Sequence, residues 1–424
     1  MGAGVRHWVP FQWPDSWAEA GLLRLLEGAP FDCLLLGEAH AEVRAAAEAR
    51  GLACPAIRWQ SWREADWANP GELLAIGDGF WPELSRKGGD SEPAGPTGAP
   101  WLDANGWLIE MARARLPATA TVWIRSDPPE DPRSVRWAHY QLALLEAWAF
   151  GARRPLWLSP PHAEALRAGN EEARAQWRAL MDAAAWMRER DAWRAFRPFA
   201  RLAIASDFTG ANEWLSTETL LLAARQGIAF VPLDAARITP AALSGIRALL
   251  WCDASPVAGS VQAWVRDGGR LMAMPAAVAQ WKLGPARPED HPRFRFHALG
   301  RGQVAVARGE FEDPWVLAQD TRLVASKRWD AVRLFNGGSL QCRHARGAGR
   351  HIVTLLNYTL QPSGNRVVVQ MAEAVRAARF HSPGRPAKPL ELHREEGGME
   401  AHVPGFAVCG VMEFEEGGSG NANS

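Results

Sequence analysis

Short apolar runs alternate with stretches whose apolar residues recur every three or four positions through the first 200 residues of this 424-residue chain. The runs are HWVPF, FDCLLLGE, PAIRWQS, ELLAIGDGF, TVWIRSD and RPLWLSP, and their continuity suits strands covered on both faces. The periodic stretches predict helices over 15–27, 40–50, 104–115, 134–150 and 163–196. Strands alternating with helices build a parallel sheet or a barrel. Six strands are fewer than the eight of a complete (β/α)₈ barrel, so residues 1–200 are expected to form a TIM-barrel-like domain that is incomplete or has strands the pattern does not reveal. Residues 85–100, rich in Gly, Pro and Ser, read as a loop.

From Arg201 the alternation tightens: strand RLAIASDF, helix NEWLSTETLLLAARQG, strand IAFVPLD, helix PAALSGIR, strand ALLWCD, helix VAGSVQAWVRDG and strand GRLMAMP. Four strands with intervening helices predict a small doubly wound α/β domain over 201–284. After residue 285 the runs GQVAVARG, AVRLFNGG, HIVTLLNYTL, NRVVVQM, AARFHSP, MEAHVP and FAVCGVMEFE are separated by turn residues. Several alternate apolar with polar, which predicts an antiparallel β-sandwich or Greek-key module over 285–416. Residues 417–424 read as a disordered tail. The expected fold class is therefore α/β: a barrel-like unit, a doubly wound unit and an antiparallel β-unit.

Composition narrows the partners. Acidic and basic side chains balance at 47 each, so no net field favours nucleic acid or an anionic membrane. The N-terminal stretch has no continuous apolar core and no run of 18 apolar residues follows, which predicts neither a signal peptide nor a membrane span and makes the cytoplasm the expected location. Five cysteines lie far apart without a CxxC pair, arguing against a disulfide framework or zinc knuckle, and read as small buried hydrophobes. Glu38, His40 and Glu42 alternate, but residues two apart face one way only in a strand, and the segment from His40 onward reads as helix. No metal and no cofactor is expected. A GxSxG elbow and a GxxxxGK[ST] loop are both missing, which leaves serine hydrolase and nucleotide chemistry without their motifs.

Tryptophan changes the picture most. Sixteen of 22 Trp precede residue 200, against two Tyr in the whole chain, and many stand at strand ends. Indole offers a large flat apolar face on which the C–H face of a sugar ring stacks. The same residues also fill cores and interfaces, so the cluster rather than any single Trp points to a carbohydrate site.

The order of barrel-like unit, small α/β unit and β-unit, with RLAIASDF…LLLAARQGIAFVPLD…ALLWCD…WVRDGGRLMAMP followed by HIVTLLNYTL…ARFHSP…PLEL…MEAHVPGFAVCGVMEFE, resembles glycoside hydrolases of the family 42 β-galactosidase type. The resemblance spans about 201–416 and implies a TIM barrel, a glutamine-amidotransferase-like domain and a C-terminal β-domain. It also implies an Asn-Glu pair ending the fourth barrel strand and a Glu ending the seventh, neither of which stands in the barrel-like part. Asn170-Glu171 falls in a helical stretch. Asn212-Glu213 follows the first strand of the middle domain, where Asn212 suits a helix cap and Glu213 could reach a substrate at the barrel mouth. Cys252, in WCDAS, lacks the G-x-C-x-G elbow of an amidotransferase.

Glycoside hydrolysis needs two carboxyl groups, one protonated and one ionised, and barrel sites lie at C-terminal strand ends. Glu38, Asp78 and Asp127 end strand-like runs, and Asp103 stands between Trp101 and Trp107. Glu38, after an apolar run, is expected to be partly desolvated with a raised pKa, hence the general acid; Asp78 or Asp127 would be the ionised partner. Asp103 competes as a helix cap, and Asp78 and Asp127 as turn formers. Trp59, Trp81, Trp101, Trp107 and Trp123 would stack sugar, and Arg58 and Arg125 would bind hydroxyls. These residues support a glycoside hydrolase-like protein acting on an oligosaccharide. The alternatives are a non-catalytic carbohydrate-binding relative and a structural or assembly protein whose Trp anchor interfaces. A homo-oligomer stays open.

Overall fold

In the computed structural model, which describes residues 7–67, 69–84, 102–131, 134–288, 291–362 and 366–417, the apolar runs of the first 200 residues become short parallel strands. Pro10–Gln12 lies between Cys33–Leu35 and Leu156–Trp157, and Leu73–Ile76 pairs with Thr121–Ile124. Single parallel bridges add Cys33 to Ala53, Gln60 to Ile76 and Trp123 to Arg153. Among the described residues no sheet of named strands closes on itself.

Side chains alternate across these strands as extended backbone requires. Cys33, Leu35 and Trp123 form an inner cluster with Trp8, Ile57, Trp59 and Leu73. Leu34, Leu74, Val122 and Ile124 point the other way into the main core. Helices Ala41–Ala49, Gly106–Arg115 and Trp137–Ala149 follow the expected stretches, while 15–27 holds only the 3₁₀ turn Ala20–Leu26. The long stretch 163–196 is broken: Pro160–Arg167 ends near Gly169, at φ +77°, and Glu171–Glu189 restarts with Asn170 accepting from the Ala173 N–H at 2.9 Å. Left-handed backbone at that position suits glycine, and the acceptor is an N-cap.

The middle sheet runs Val231–Asp234, Leu202–Ser206, Ala248–Trp251, Arg270–Ala273, Gly302–Ala307 and Phe294–Leu299. Its first five strands are parallel, and only Phe294–Leu299 is antiparallel. GQVAVARG, expected in the C-terminal β-unit, therefore belongs to this sheet: Gly302–Ala307 pairs in parallel with Arg270–Ala273. Its alternation reflects an edge-proximal position, which period alone does not distinguish from a sandwich strand. PAALSGIR forms turns instead of a helix, with Gly245 at φ +80°. Helix Glu213–Arg225 packs against Pro314–Val324.

Two antiparallel sheets follow. One orders Val332–Phe335, Val368–Met371, Gly398–His402 and His393–Glu395; the other orders Arg385–Leu390, Val375–Ser382, Cys409–Glu416, Arg350–Asn357, Leu340–Gly347 and Arg197–Pro198. Val353, Leu355, Val369, Phe380, Met412 and Phe414 fill one core drawn from both sheets. Arg197–Pro198, from the end of the first unit, serves as an edge strand of the second sheet.

A buried polar network also ties first unit to last. Glu146 accepts from the Asn105 backbone N–H and from Nδ2, both at 2.7 Å, and from the Tyr358 hydroxyl at 2.6 Å. Burial raises the Glu146 carboxyl above its ordinary range.

Candidate functional site

The inner alternation that buries Trp123 brings three half-buried side chains to the C-terminal ends of the parallel strands: Trp59, Arg125 and Trp157. The Arg125 Cζ lies 4.3 Å from the Trp157 ring centroid and 5.4 Å from that of Trp59. Such distances are those of cation–π contact. Trp59 also meets Trp123 at 6.5 Å between centroids, so the exposed layer rests on the buried one. Gln12 is half-buried at the end of the next strand and holds the Leu35 carbonyl at 3.2 Å. Together these groups present flat apolar faces around a planar fork of N–H donors, which is the chemistry a hydroxylated ring needs.

The expected site residues separate. Arg58 is exposed. Trp123 is wholly buried and Trp107 is 5% exposed, packed edge-on against Trp62 at 6.3 Å; these two belong to the core and offer little face to a ligand. Trp81 is half-buried against Tyr140 at 5.6 Å. Trp101 lies outside the described residues, as do the 85–100 loop and tail residues 418–424. Trp157 joins Trp59 and Arg125 although it is not among the aromatics expected from the sequence; its place in RPLWLSP is like that of Trp59 in PAIRWQS.

Among the carboxylates, Glu38 is exposed, which corrects the expected desolvation: after Leu35 the chain turns out of the sheet, so neighbouring Leu residues do not cover it. Asp78 is exposed but engaged, accepting from Ser61 Oγ at 2.7 Å and from the Trp62 N–H at 3.0 Å. Asp127 is exposed and 3.4 Å from Arg125 Nε. Asp103 pairs with Arg225 Nη2 at 3.5 Å. Glu213 accepts from Arg63 Nε at 2.6 Å, so the segment Ser61–Arg63 contacts both Asp78 and Glu213. Asn212 caps no helix through its side chain; Nδ2 donates to the Cys252 carbonyl at 3.0 Å and to Asp253 Oδ1 at 2.7 Å.

One polar cluster was not foreseen. At the end of strand Leu156–Trp157, Ser159 Oγ lies 2.8 Å from His162 Nδ1, and the Tyr140 hydroxyl lies 3.1 Å from both atoms. Burial lowers the His162 pKa, which favours a neutral ring. Pro160 and Pro161 follow Ser159 and supply no N–H for an oxyanion, so the cluster orders the strand end without the donors that acyl transfer needs.

No group of three or more His, Cys, Asp or Glu among the described residues is arranged to hold a metal. All five cysteines are free; Cys33, Cys252 and Cys409 are buried, Cys54 is intermediate, and Cys342 is exposed, unlike the buried hydrophobe expected of it. No described helix is long and apolar enough to cross a membrane.

No protein-family model matches the chain, and no curated protein matches it in sequence. Among solved structures it is similar to α-L-fucosidase isoenzyme 2 of Paenibacillus thiaminolyticus, at 13% identity and TM-score 0.45 over 70% of this chain and 60% of that one. It is similar also to the cold-adapted β-galactosidase of Rahnella sp. R3, at 13% and 0.44 over 73% and 57%. A third likeness is to Gan42B, a GH42 β-galactosidase of G. stearothermophilus, at 10% and 0.47 over 73% and 56%. The chain spans only 56–60% of the length of these proteins. All three TM-scores lie below 0.5, and these likenesses assign no residue.

Proposed function

We propose that this is a glycoside hydrolase-like protein that takes an oligosaccharide at the C-terminal ends of its parallel strands. The Trp59–Arg125–Trp157 stack carries the reading: two accessible indoles and a guanidinium offer stacking faces and hydroxyl donors in one place. We further propose that six segments, near residues 10–12, 33–35, 53–60, 73–76, 121–124 and 153–157, make one parallel ring, an incomplete barrel whose mouth is this stack. Each successive pair is supported by a parallel pairing or bridge, and sites at barrel mouths are general.

Turnover is the second reading, favoured by the placement of Glu38, Asp78 and Asp127 after three of those strands, with Glu213 linked to Asp78 through Ser61–Arg63. Binding is the better supported of the two, because Asp78 and Asp103 are occupied by structural partners and Glu38 stands in solvent. A panel of oligosaccharides and aryl glycosides, offered to the wild type and to a Glu38→Gln/Asp78→Asn double variant, separates them. Binding without release of reducing sugar is expected. Release by the wild type alone would establish the hydrolytic reading at these residues. Release by both proteins would establish hydrolysis elsewhere, and a wild type that neither binds nor cleaves would remove the carbohydrate reading.

A further inference from the structure

An unassigned cavity of about 490 Å³ lies among residues 102–150, 198–230 and 330–344. Helix Gly106–Arg115 gives it Trp107 and Glu110, the first unit adds Phe150 and Phe199, and strand Leu340–Gly347 adds Gln341 and Arg343. Its volume lies within the several hundred Å³ usual for ligand sites, which are mostly apolar with a few convergent polar groups.

Two of its polar groups have hydrogen-bonding capacity unused by the described protein. Glu110 engages Arg343 Nε through Oε1 at 3.2 Å, leaving Oε2 without a hydrogen bond. Gln341 spends one end of its amide on the Tyr358 hydroxyl at 2.7 Å, leaving the other end unused. Both residues are at least nine-tenths buried, and Trp107 Nε1 on the same lining is buried without a hydrogen-bond partner among the described residues; a stranded buried donor is costly unless a partner fills it. Charge in the cavity is nearly cancelled. Glu110 faces Arg343, Arg225 faces Asp103, and Asp330 faces Arg322 at 2.6 Å, while Arg333 is taken up by Gln370 and the Lys327 carbonyl. Of these cations Arg333 is the one whose partners are neutral, so inorganic phosphate is the comparator that reads any pull on an anion. Aromatic faces from Trp107, Phe150 and Phe199 complete the lining.

We propose that this junction cavity is a second binding site, separate from the strand ends, for a neutral polyhydroxylated ring of monosaccharide size. Ring hydroxyls donate to Glu110 Oε2 and exchange a hydrogen bond with the Gln341 amide, while the apolar face of the ring lies against the aromatic wall. Bound there, the ring touches all three units and holds them together.

The test uses the full chain and calorimetric titration with D-glucose, D-galactose and D-mannose, with inorganic phosphate as the charged comparator. Removing Glu110 would strand Arg343 in the interior, so the cavity is obstructed instead. Gly338 is an exposed residue of its rim, and a Cβ built there meets nothing within 4 Å; Gly338→Trp therefore crowds the mouth of the cavity without a clash at Cβ, while an unchanged circular dichroism spectrum certifies the fold. One of the three sugars is expected to bind the wild type, phosphate is not, and Gly338→Trp should weaken the sugar at least about tenfold. Trp157→Ala removes the strand-end stack, so the affinity that remains in that variant is the cavity's own. Failure of all three sugars to bind, or equal binding by Gly338→Trp and wild type, overturns the proposal. Loss of binding in Trp157→Ala alone would assign the sugar to the strand ends and likewise overturn it.

Discussion

Arg125 is held at three points, by the faces of Trp157 and Trp59 and by the Asp127 carboxylate 3.4 Å from its Nε. Its outward N–H groups are thereby oriented before a ligand arrives, which lowers the entropy cost of binding. Arg125→Lys keeps the charge but loses the planar fork, so it should weaken oligosaccharide binding about tenfold in a fluorescence titration; an unchanged affinity would take Arg125 out of the site. A different residue governs acid stability. His381 hydrogen-bonds Glu413 at 3.0 Å and, with Arg350 at 2.7 Å, holds its carboxyl down to about 2 against an ordinary 4.5. The unfolded chain then binds the proton more tightly, so this contribution is complete above pH 4.5 and is lost as pH falls towards 2. Glu413→Gln should flatten the decline of unfolding free energy across that window, by on the order of 2 kcal/mol, and an unaltered acid profile would refute the assignment. Arg125 and Trp59 were legible in the sequence because each stands beside its partner type at a strand end. Trp157 was not, since weighing strand ends by their acids passes over a run that ends in Ser-Pro. Glu38 misled for a related reason: apolar neighbours in sequence cover a side chain only where the backbone keeps it in the sheet, and Gly37 begins a turn.

Elements were more legible than their partners. The six apolar runs of the first unit all enter parallel pairings or bridges because strands covered on both faces carry uninterrupted hydrophobicity, and the helices between them show their periodicity. PAALSGIR failed because its short apolar set satisfies helical spacing while Gly245 adopts a left-handed conformation that ends any helix. Gly302–Ala307 was placed in the wrong sheet because strand order is fixed by long-range packing that no local period encodes. Joints between elements were invisible for the same reason. Helix Trp137–Ala149 reaches the strand Arg350–Asn357 and its following turn through Glu146 and Tyr358, 212 residues apart. Tyr358→Phe leaves that carboxylate one donor short and the Gln341 amide without its partner. It should therefore cost about 1–3 kcal/mol, read as a lower urea midpoint with an unchanged slope; a midpoint within error of the wild type would show that the joint carries no stability.

At the scale of the whole molecule, the three stretches that the sequence pattern distinguishes are interlocked. Arg197–Pro198 of the first unit is an edge strand of the last sheet, the Arg63–Glu213 pair ties first to middle, and Arg201–Glu373 ties middle to last. The balanced charge argued against nucleic acid and an anionic membrane, and the clustered Trp pointed to a carbohydrate site. What they could not show was which Trp remain accessible: Trp107 and Trp123 are core, whereas Trp59 and Trp157 keep part of their faces in solvent. The central claim, that an oligosaccharide lies on these two indoles, is tested most directly by calorimetric titration of one binding oligosaccharide against the wild type and Trp157→Ala, with matching circular dichroism spectra. Loss of about 2 kcal/mol of binding free energy, roughly thirtyfold in affinity, is predicted for the variant. Equal affinity of the two proteins would contradict the account.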